Sequence, residues 1–337
     1  MLPGTRTGRV HMQGYGEKYG MDPADRSAAG SARSARDAGG MDAVDDTPIA
    51  TAARTAVAVV GRTVPKMPRP PHRRVMVVAN QKGGVGKTTS TVNLAAALAL
   101  SGARVLVLDL DPQGNASTAL GIDHHEGVSS VYDVLVHGVP LREVVQQVDG
   151  LPDLWCAPAT IDLAGAEIEL VSLVARESRL LRALTAFEEE VDYVLIDCPP
   201  SLGLLTVNAF VAGKEVLLPI QCEYYALEGV GQLLRNVEMI RSHLNPTLAV
   251  TTVLLTMFDS RTRLANQVVA DVREHFGDRV LKTAIPRSVR VSEAPSYGQT
   301  VLTYDPGSSG ALSYLEAARE IAIAGARPAR PEPSGRS

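Results

Sequence analysis

The stretch VMVVANQKGGVGKTTSTVNLAAALA, residues 75–99, places a row of glycines between an apolar run and a segment of helical composition. A glycine-rich turn between a strand and a helix lets backbone N–H groups converge on phosphate oxygens, and the helix N-terminus adds its positive dipole end. The stretch therefore predicts a phosphate-binding loop. It also contains two lysines, Lys82 and Lys87, although such a loop ordinarily needs only the second.

The residue types in this loop match the groups of a nucleoside triphosphate. Lys87 is expected to neutralise the β- and γ-phosphates, and the Thr88 hydroxyl is expected to bind Mg²⁺ directly. The general loop pattern has a glycine five positions before Gly86, where this chain has Gln81, so the match is to the variant KGGVGKTT. The predicted ATP-binding residues of the loop are Lys82, Gly83, Gly84, Val85, Gly86, Lys87, Thr88 and Thr89.

Six short apolar runs bounded by Gly, Pro or Asp predict buried strands. They are RVMVVAN, ARVLVLDLD, LPDLWCAPA, DYVLIDCPP, EVLLPIQ and LAVTTVLLTM. Helical stretches lie between them: TTSTVNLAAALALSG, EIELVSLVARESRLLRALTAF, LEGVGQLLRNVEMIRSHL and RLANQVVADVREHFG. Strands that alternate with helices predict an α/β fold of three layers, in which a mostly parallel twisted sheet has helices on both faces.

Composition separates the two ends of the chain from the middle. Residues 1–72 are rich in Gly, Ala, Arg, Asp and Ser, so we expect a disordered N-terminal extension. Within it, IATAARTAVAVVGR is compatible with a transient or partner-bound helix, and a true translation start at Met41 or Met67 is the alternative to a long extension. Residues 73–324 are predicted to form one domain, and residues 325–337 a disordered tail.

The bulk composition argues against several classes of protein. The chain has 337 residues, of which 45% are hydrophobic and 21% charged, and its formal net charge is −4. That weakly acidic balance predicts no nucleic-acid affinity without a local basic patch. The three cysteines are widely spaced, which fits neither a disulfide framework nor a metal finger and agrees with a reducing cytoplasm. No apolar run approaches the roughly 18 residues that span a bilayer.

Three aspartates stand at the ends of predicted strands. VLVLDLDPQGN ends a strand at Asp109 and Asp111, and DYVLIDCPPS ends another at Asp197. Ligands of open α/β sheets bind at the carboxyl ends of strands, and a carboxylate there can hold a magnesium-bound water. A single aspartate at such a position is most often a cap or turn residue. Three of them beside a phosphate loop favour a Mg²⁺-nucleotide site.

Taken together, these motifs resemble those of a known family. KGGVGKTT, DLDPQGNAS, CAPATIDLAGAEIEL, LIDCPPSLGLLTVNA, IQCEYYALEG, LLTMFDSRTRL and IPRSVRVSEAPSYG are similar to motifs of the ParA/Soj chromosome-partitioning ATPases, a deviant Walker A (SIMIBI) branch of the P-loop NTPases. The resemblance covers Arg73 to about Ile323 and leaves the first 72 residues outside. It implies that residues 73–324 are a ParA-type domain that hydrolyses ATP slowly with Mg²⁺ and is stimulated by a partner.

The resemblance gives the extra lysine a role. In this class the residue that matches Lys82 reaches across a dimer interface to the phosphates in the partner's site. Two facing triphosphates concentrate negative charge, so a cation donated in trans binds best when triphosphate is present and links nucleotide state to dimerisation. Lys82 is therefore an implied catalytic residue beside Lys87, and the chain is expected to form an ATP-dependent homodimer.

Further site residues follow from the same resemblance. Asp111 matches the position that orients or deprotonates the attacking water and is the third implied catalytic residue. Asp109 and Asp197 match positions that bind the magnesium ion through water. Pro286 and Ser288, in IPRSV, match the stretch that contacts adenine, although many relatives have Asn at the position of Ser288.

A local arginine patch supplies the cations that the net charge does not reveal. It consists of Arg261 and Arg263 in DSRTRL and of Arg287 and Arg290 in IPRSVR. By the resemblance, Arg261 and Arg290 contribute to non-specific binding of double-stranded DNA by the ATP dimer, because two subunits double the number of phosphate contacts. The resemblance also implies a ParB-type centromere-binding partner, a polar scaffold as a further candidate partner, and a cytoplasmic, nucleoid-associated protein that segregates chromosomes or plasmids.

Other nucleotide-switch classes remain as alternatives. A MinD-like cell-division ATPase shares the phosphate loop but needs a basic amphipathic C-terminal helix at the membrane, whereas SYLEAAREIAIAG carries little positive charge. An iron-protein-like electron carrier needs paired cysteines at a cluster, and Cys198 and Cys222 are better interpreted as small buried hydrophobic residues. A dinucleotide-binding dehydrogenase is disfavoured by the glycine spacing.

Overall fold

A computed structural model describes residues 47–61, 63–224 and 226–326 of the chain. The strands in this part are β1 Arg74–Val78, β2 Val105–Asp109, β3 Gln146–Gln147, β4 Leu154–Ala157, β5 Tyr193–Asp197, β6 Glu215–Gln221, β7 Ala249–Phe258 and β8 Val280–Pro286. The α-helices are α1 Pro48–Val60, α2 Lys87–Leu100, α3 Asn115–Ala119, α4 Leu163–Val171, α5 Arg179–Thr185, α6 Leu204–Ala212, α7 Glu228–His243, α8 Arg263–Phe276, α9 Val289–Glu293, α10 Val301–Tyr304 and α11 Ser309–Ala326.

These strands form one eight-stranded sheet in the order β3-β4-β2-β5-β1-β6-β7-β8. All neighbouring pairs are parallel except β3 with β4, an antiparallel pair at one edge. The predicted α/β fold with a mostly parallel sheet is therefore confirmed. β8 and the short β3 add to the six predicted strands. Parallel pairing brings the carboxyl ends of β1, β2 and β5 side by side, because Asp109 pairs with Asp197 in register.

Alternate residues of each central strand enter two separate hydrophobic cores, one on each face of the sheet. Val75 and Val77 of β1 belong to the core that α4 to α8 cover, whereas Met76 and Val78 belong to the core under α2 and α11. This explains why the central strands are continuous apolar runs rather than alternating ones. Among the described residues, no helix is long and apolar enough to cross a membrane.

The predicted helix EIELVSLVARESRLLRALTAF is interrupted. α4 ends at Val171, and Ala175 adopts a left-handed conformation with φ of 54° before a short 3₁₀ turn leads into α5. The Asn208 side chain stabilises this break, since its amide donates to the Arg176 carbonyl at 2.8 Å and its Oδ1 accepts from the Leu180 N–H at 3.2 Å. Tertiary hydrogen bonds thus override a continuous helical pattern.

The predicted disorder of residues 1–72 does not hold for the part that the structure describes. Helix α1 packs against α10 and α11, where Gly307 lies under Ala52 and Ala56. Residues 63–72 then run along the domain, and the Met67 N–H donates to the Ser101 carbonyl at 3.1 Å. Among the large apolar residues of IATAARTAVAVV, Val59 is buried, whereas Ile49, Val57 and Val60 are exposed. Residues 1–46, and the predicted tail from residue 327 onward, lie outside the described residues.

Candidate functional site

The glycine-rich loop between β1 and α2 is open above and anchored below. Gly84 and Gly86 have φ of 73° and 86°, a left-handed conformation that glycine adopts without strain. A side-chain carbon added at Gly83 or Gly84 would meet nothing within 4 Å, so the space over the loop is free for a ligand. Beneath it, Val85 is buried, and its carbonyl accepts a hydrogen bond from Thr256 Oγ1 at 2.8 Å. The loop is therefore a preformed cradle fixed to the end of β7.

Lys87, the first residue of α2, is buried below this cradle. Its Nζ donates to the Lys82 carbonyl at 3.3 Å. Burial lowers the pKa of the Lys87 ammonium, and the nearby carboxylates of Asp197 and Asp111 act in the opposite direction. A partly desolvated cation at the N-terminus of a helix is well suited to bind phosphate oxygens.

Asp197 and Asp109 lie side by side, fully buried, at the ends of β5 and β2. Asp197 accepts hydrogen bonds from Thr88 Oγ1 at 2.6 Å and from Thr91 Oγ1 at 2.9 Å. Asp109 accepts from both the backbone N–H and the hydroxyl of Ser117, at 2.9 and 2.7 Å. Burial raises the pKa of Asp197 to about 7, and the negative charges of Asp109 and Asp111 act in the same direction. Burial also raises the pKa of Asp109 to about 6, with the charge of Asp111 as a further cause.

This arrangement fits a magnesium ion. Two buried carboxylates whose ionisation is unfavourable gain from a nearby cation. Thr88, whose hydroxyl donates to Asp197, also lines the cavity above the loop. No group of three His, Cys, Asp or Glu side chains in the described ranges forms a metal site by itself. Mg²⁺ usually keeps several waters and binds through substrate phosphates. The residues present therefore suit an ion that arrives with a nucleotide.

Asp111 lies closer to the surface of the site than the other two aspartates. Its Oδ1 accepts from the Gln113 N–H at 3.1 Å, and its own N–H donates to Asp109 Oδ1 at 3.2 Å. The side chain lines the cavity over the phosphate loop. It is thus held in a turn beside the cavity over the phosphate loop.

The cavity over the loop has a volume of about 490 Å³, within the range of ligand sites. Its walls also include Asn115, Thr118, Pro200, Met257, Pro295 and Ser296. Neither Pro286 nor Ser288 is among its lining residues, so their predicted adenine contacts remain a prediction. Pro295 and Ser296 were not predicted as site residues, although they belong to the motif IPRSVRVSEAPSYG. Met257 was not predicted either, and its φ of 51° is unusual for a residue with a side chain.

Lys82 stands at the rim of the cradle. Its backbone N–H donates to Asn80 Oδ1 at 3.0 Å, and the Asn80 amide donates to the Pro219 carbonyl at 2.8 Å. The ammonium group itself makes no hydrogen bond or ion pair with any residue in the described part of the chain. The loop is thus fixed while the cation at its edge stays available for a ligand.

Known proteins with similar sequences point to the same kind of site. Residues 73–250 match a family described as an AAA domain. The chain is 52% identical over 252 residues to the sporulation initiation inhibitor protein Soj of Bacillus subtilis, covering 75% of this chain and 99% of that protein. It is also 52% identical over 250 residues to the chromosome partitioning protein ParA of Caulobacter vibrioides, covering 74% of this chain and 93% of the relative.

The chain belongs to the ParA/Soj family of chromosome-partitioning ATPases.

Solved structures agree on the fold. One is a Mycobacterium smegmatis structure described as cobyrinic acid a,c-diamide synthase with bound ADP and magnesium. Its sequence is 40% identical and its TM-score is 0.65, and the match covers 74% of this chain and 94% of the neighbour's chain. The septum site-determining protein MinD of Pyrococcus horikoshii, with Mg-ADP, is 26% identical with a TM-score of 0.59; here 74% of this chain and 96% of the other are covered. Both neighbours hold the kind of ligand predicted for the cradle.

The arginine patch of this ParA/Soj chain is gathered at the carboxyl edge of the sheet but largely neutralised. Arg261 makes two hydrogen bonds to Asp259, at 2.9 and 2.8 Å, which lower the pKa of that carboxyl to about 2. Arg290 pairs with Glu293 at 3.2 Å and with Asp305 at 3.3 Å. The remaining two members differ: Arg287 pairs with Glu223 at 2.7 Å, whereas Arg263 has no such partner among the described residues.

The three cysteines are free and buried, as predicted for Cys198 and Cys222. Burial raises the pKa of each thiol, so none is a ready thiolate. Cys198 follows Asp197 directly, but the hydrogen bonds of the site run through Thr88 and Thr91 instead. These thiols therefore serve as packing residues in this ParA/Soj chain.

Proposed function

We propose that this chain binds Mg²⁺-ATP in the cradle over residues 82–89 and hydrolyses it slowly as a chromosome-partitioning switch. The observation that carries the proposal is the connected set of Lys87, Thr88, Asp197 and Asp109 beneath an open glycine loop. The bound ADP and magnesium of the 40% identical neighbour support the same ligand. When bound, the magnesium ion would neutralise charge on the phosphates.

Hydrolysis is assigned to Asp111. Its carboxylate lines the cavity, is held by the Gln113 N–H, and has an oxygen left to orient water next to the terminal phosphate. Phosphoryl transfer depends mainly on positioning and on charge stabilisation, and an added cation often increases the rate greatly. We assign that cation to Lys82 of a second copy, because its ammonium makes no hydrogen bond or ion pair within the described part of its own chain. Slow turnover by single copies follows from this arrangement.

DNA binding by the ATP dimer is assigned to Arg261 and Arg290. Each arginine must exchange an internal carboxylate for a DNA phosphate, so one subunit binds weakly and two subunits together bind more strongly. The dependence of DNA affinity on ATP then follows from the doubling of contacts. By family, we propose that a ParB-type centromere-binding protein resets the cycle, with a polar scaffold as a further candidate partner, and that the protein acts in the cytoplasm on the nucleoid.

Two relatives name other functions. The MinD neighbour is only 26% identical, and the last turn of α11 contains no basic residue, so we do not extend a membrane role to this chain. The neighbour described as cobyrinic acid a,c-diamide synthase is 40% identical, which is less than the 52% shared with Soj and ParA. Partitioning therefore remains the proposal.

The test measures DNA retention and molecular mass together, with no nucleotide, with ADP, and with a non-hydrolysable ATP analogue plus Mg²⁺. We expect a dimer and salt-sensitive, sequence-independent DNA binding only with the ATP analogue. A chain that stays monomeric at saturating analogue would contradict the switch. Dimerisation without DNA binding would retain the ATPase assignment and remove the role of the arginine patch.

A further inference from the structure

Helix α3 follows the turn that carries Asp111 and is too short to hold its place alone. It has five residues, Asn115–Ala119, and its N-cap Gly114 offers no side chain to the first turn. A helix of this length depends on tertiary contacts, because the cost of nucleating it is not recovered within a single turn. Asn115 and Thr118 of this helix line the nucleotide cavity. The contacts that fix α3 therefore also fix one wall of the cavity.

Hydrogen bonds in series join this helix to the turn before it. The Gly114 N–H donates to the Asp111 carbonyl at 2.9 Å, and the Thr118 N–H donates to the Gly114 carbonyl, also at 2.9 Å. The Thr118 hydroxyl donates to the same Gly114 carbonyl at 3.0 Å. Gly114 is thus the point through which a displacement of α3 would reach Asp111.

His124 closes over this point from the loop after α3. Its Nε2 lies 2.8 Å from Thr118 Oγ1. Because the single proton of the Thr118 hydroxyl goes to the Gly114 carbonyl, the ring N–H is the donor in this second bond. A Cβ added at Gly114 would lie 2.8 Å from His124 Cδ2, so a glycine leaves room for the ring. The ring therefore contacts both the turn and the helix.

The loop that carries His124, DHHEG at residues 123–127, is itself anchored. Ile122 just before it is buried, and its N–H donates to the Ser117 carbonyl at 3.0 Å. The Asp123 carbonyl accepts a hydrogen bond from Gln146 Nε2 on the edge strand β3, also at 3.0 Å. The next histidine, His125, has its Nε2 3.4 Å from Asp123 Oδ2. His124 thus meets the Asp111 turn, whereas its neighbour pairs within its own loop.

We propose that His124 is a positioning residue for ATP hydrolysis. By bonding to Thr118 and covering Gly114, it keeps residues 111–114 in the arrangement that places Asp111 at the cavity. Phosphoryl transfer depends on positioning, and a displacement of about 1 Å can lower a rate by about a hundredfold. His124 is not among the residues that line the cavity, so its loss should leave nucleotide binding intact. The proposal rests on the proposed function, because it acts through Asp111.

The first test compares steady-state hydrolysis of Mg²⁺-ATP by the full chain and by His124→Ala. The kcat should fall by about tenfold while the KM stays within about twofold, since slow chemistry makes KM a measure of nucleotide affinity. Thermal melts establish that the variant is folded. A parental kcat would overturn the proposal. A raised KM with unchanged kcat would also overturn it, because His124 would then act in nucleotide binding.

Two further variants separate the bond to Thr118 from the loop as a whole. His124→Gln keeps an N–H donor close to the position of Nε2 and should restore kcat to within about threefold of the parent. His125→Ala is the matched control in the same loop, and its kcat should stay within about twofold of the parent. A His124→Gln variant no faster than His124→Ala would overturn the proposal. So would an equal loss in His125→Ala.

Gly114→Ala tests the packing of the ring on the turn. In the parent the new methyl group meets the His124 ring, whereas in His124→Ala that ring is absent. The strain from the left-handed φ of Gly114 is common to both backgrounds. Gly114→Ala should therefore lower kcat by a smaller factor in the His124→Ala background. Equal factors in the two backgrounds would overturn the proposal.

A readout without hydrolysis separates the proposal from the proposed function. In the nucleotide-free chain, His124→Ala should speed amide hydrogen exchange of the Gly114 and Thr118 N–H groups by at least about tenfold and leave β1 unchanged. Unchanged exchange at both amides would overturn the proposal, whatever the chain hydrolyses. Faster exchange together with parental turnover by Asp111→Ala would show that the contact exists and that the proposed role of Asp111 is wrong.

Discussion

The nucleotide site and the arginine patch lie at the same edge of one sheet but are built in opposite ways. Asp109 and Asp197 are fully buried and fixed by hydroxyls and backbone N–H groups. Arg261 is 87% exposed and bonds to an aspartate two residues away. Buried charges are costly unless they are paired, so the first region is preorganised for one ligand. The second is an exchangeable surface, whose ion pairs contribute little to stability.

Charged residues at one edge of the sheet thus form a fixed binding site in one region and a surface of exchangeable ion pairs in the other. In the nucleotide site a ligand with its cation would compensate the buried charges of Lys87, Asp109 and Asp197. In the arginine patch the ligand must displace Asp259, Glu293 or Asp305 before it gains anything. Substitutions in the nucleotide site should therefore abolish nucleotide binding or turnover, whereas substitutions in the arginine patch should change DNA affinity only by degrees.

The largest effect is expected from Lys87→Ala. This change removes the buried cation under the cradle and leaves Asp111 and Asp197 facing the phosphates, so nucleotide affinity should fall by about a hundredfold or more. Isothermal titration with Mg²⁺-ATP analogue measures it, and a thermal melt establishes that the variant is folded.

Lys82→Ala is the matched control in the same loop. Its ammonium makes no contact within the described part of its own chain, so nucleotide affinity should change little while dimerisation is lost. If both variants lose affinity equally, Lys82 acts within its own subunit and the assignment in trans is wrong.

The next effect is expected from Asp111→Ala. Only the group that positions water is removed, so turnover should fall by about a hundredfold while ATP binding and dimerisation survive. Phosphate release at saturating ATP measures the first, and molecular mass with ATP measures the second. Turnover at the parental rate would remove Asp111 from the mechanism.

A smaller, graded effect is expected at the arginine patch. Arg261→Glu should lower the DNA affinity of the ATP dimer by about tenfold, whereas Asp259→Asn should raise it a few-fold because Arg261 is released from its internal partner. Filter binding over a range of salt concentrations measures both, and Arg261→Glu should also have the shallower salt dependence. Opposite signs for the two variants are the decisive result; a loss of affinity in both would show that the pair acts as a structural unit.

Much of the fold was predictable because its signals are local. Continuous apolar runs predicted the central strands, since a strand covered on both faces has no polar side. β8 was not predicted, because VLKTAIP contains the polar residues Lys282 and Thr283 within an apolar run at the sheet edge. The backbone N–H groups of both residues donate to the Glu320 carboxylate. The break between α4 and α5 depends on Asn208, a residue distant in sequence, and no local pattern reports such a contact.

The site was predictable to the extent that its parts belong to strand ends and loops. Lys87, Thr88, Asp109 and Asp197 come together because neighbouring parallel strands end at the same edge. Their raised and lowered pKa values depend on burial and on one another, which a sequence does not show. The pairing of Arg261 with Asp259 was visible as a short spacing, but whether the side chains meet depends on the turn after β7.

The smallest effect concerns stability and pH in the absence of nucleotide and Mg²⁺. Burial raises the pKa of Asp197 from 3.8 to about 7, so the folded chain holds this proton more tightly than the unfolded chain. The contribution of Asp197 to the free energy of unfolding is therefore greatest below about pH 4, decreases as the pH rises toward about 7, and is constant above it. Asp197→Asn should flatten this decline with pH. At about pH 8 the free energy of unfolding of the variant should exceed that of the parent by about 1 kcal/mol. The gain from removing a buried charge is partly lost because the hydrogen bonds from Thr88 and Thr91 are weakened. Urea unfolding across this pH range measures both curves, with the exposed Asp278→Asn as a control for net charge. A parent whose free energy of unfolding rises through this range relative to Asp197→Asn would show that Asp197 is ionised and already stabilised before any ligand binds.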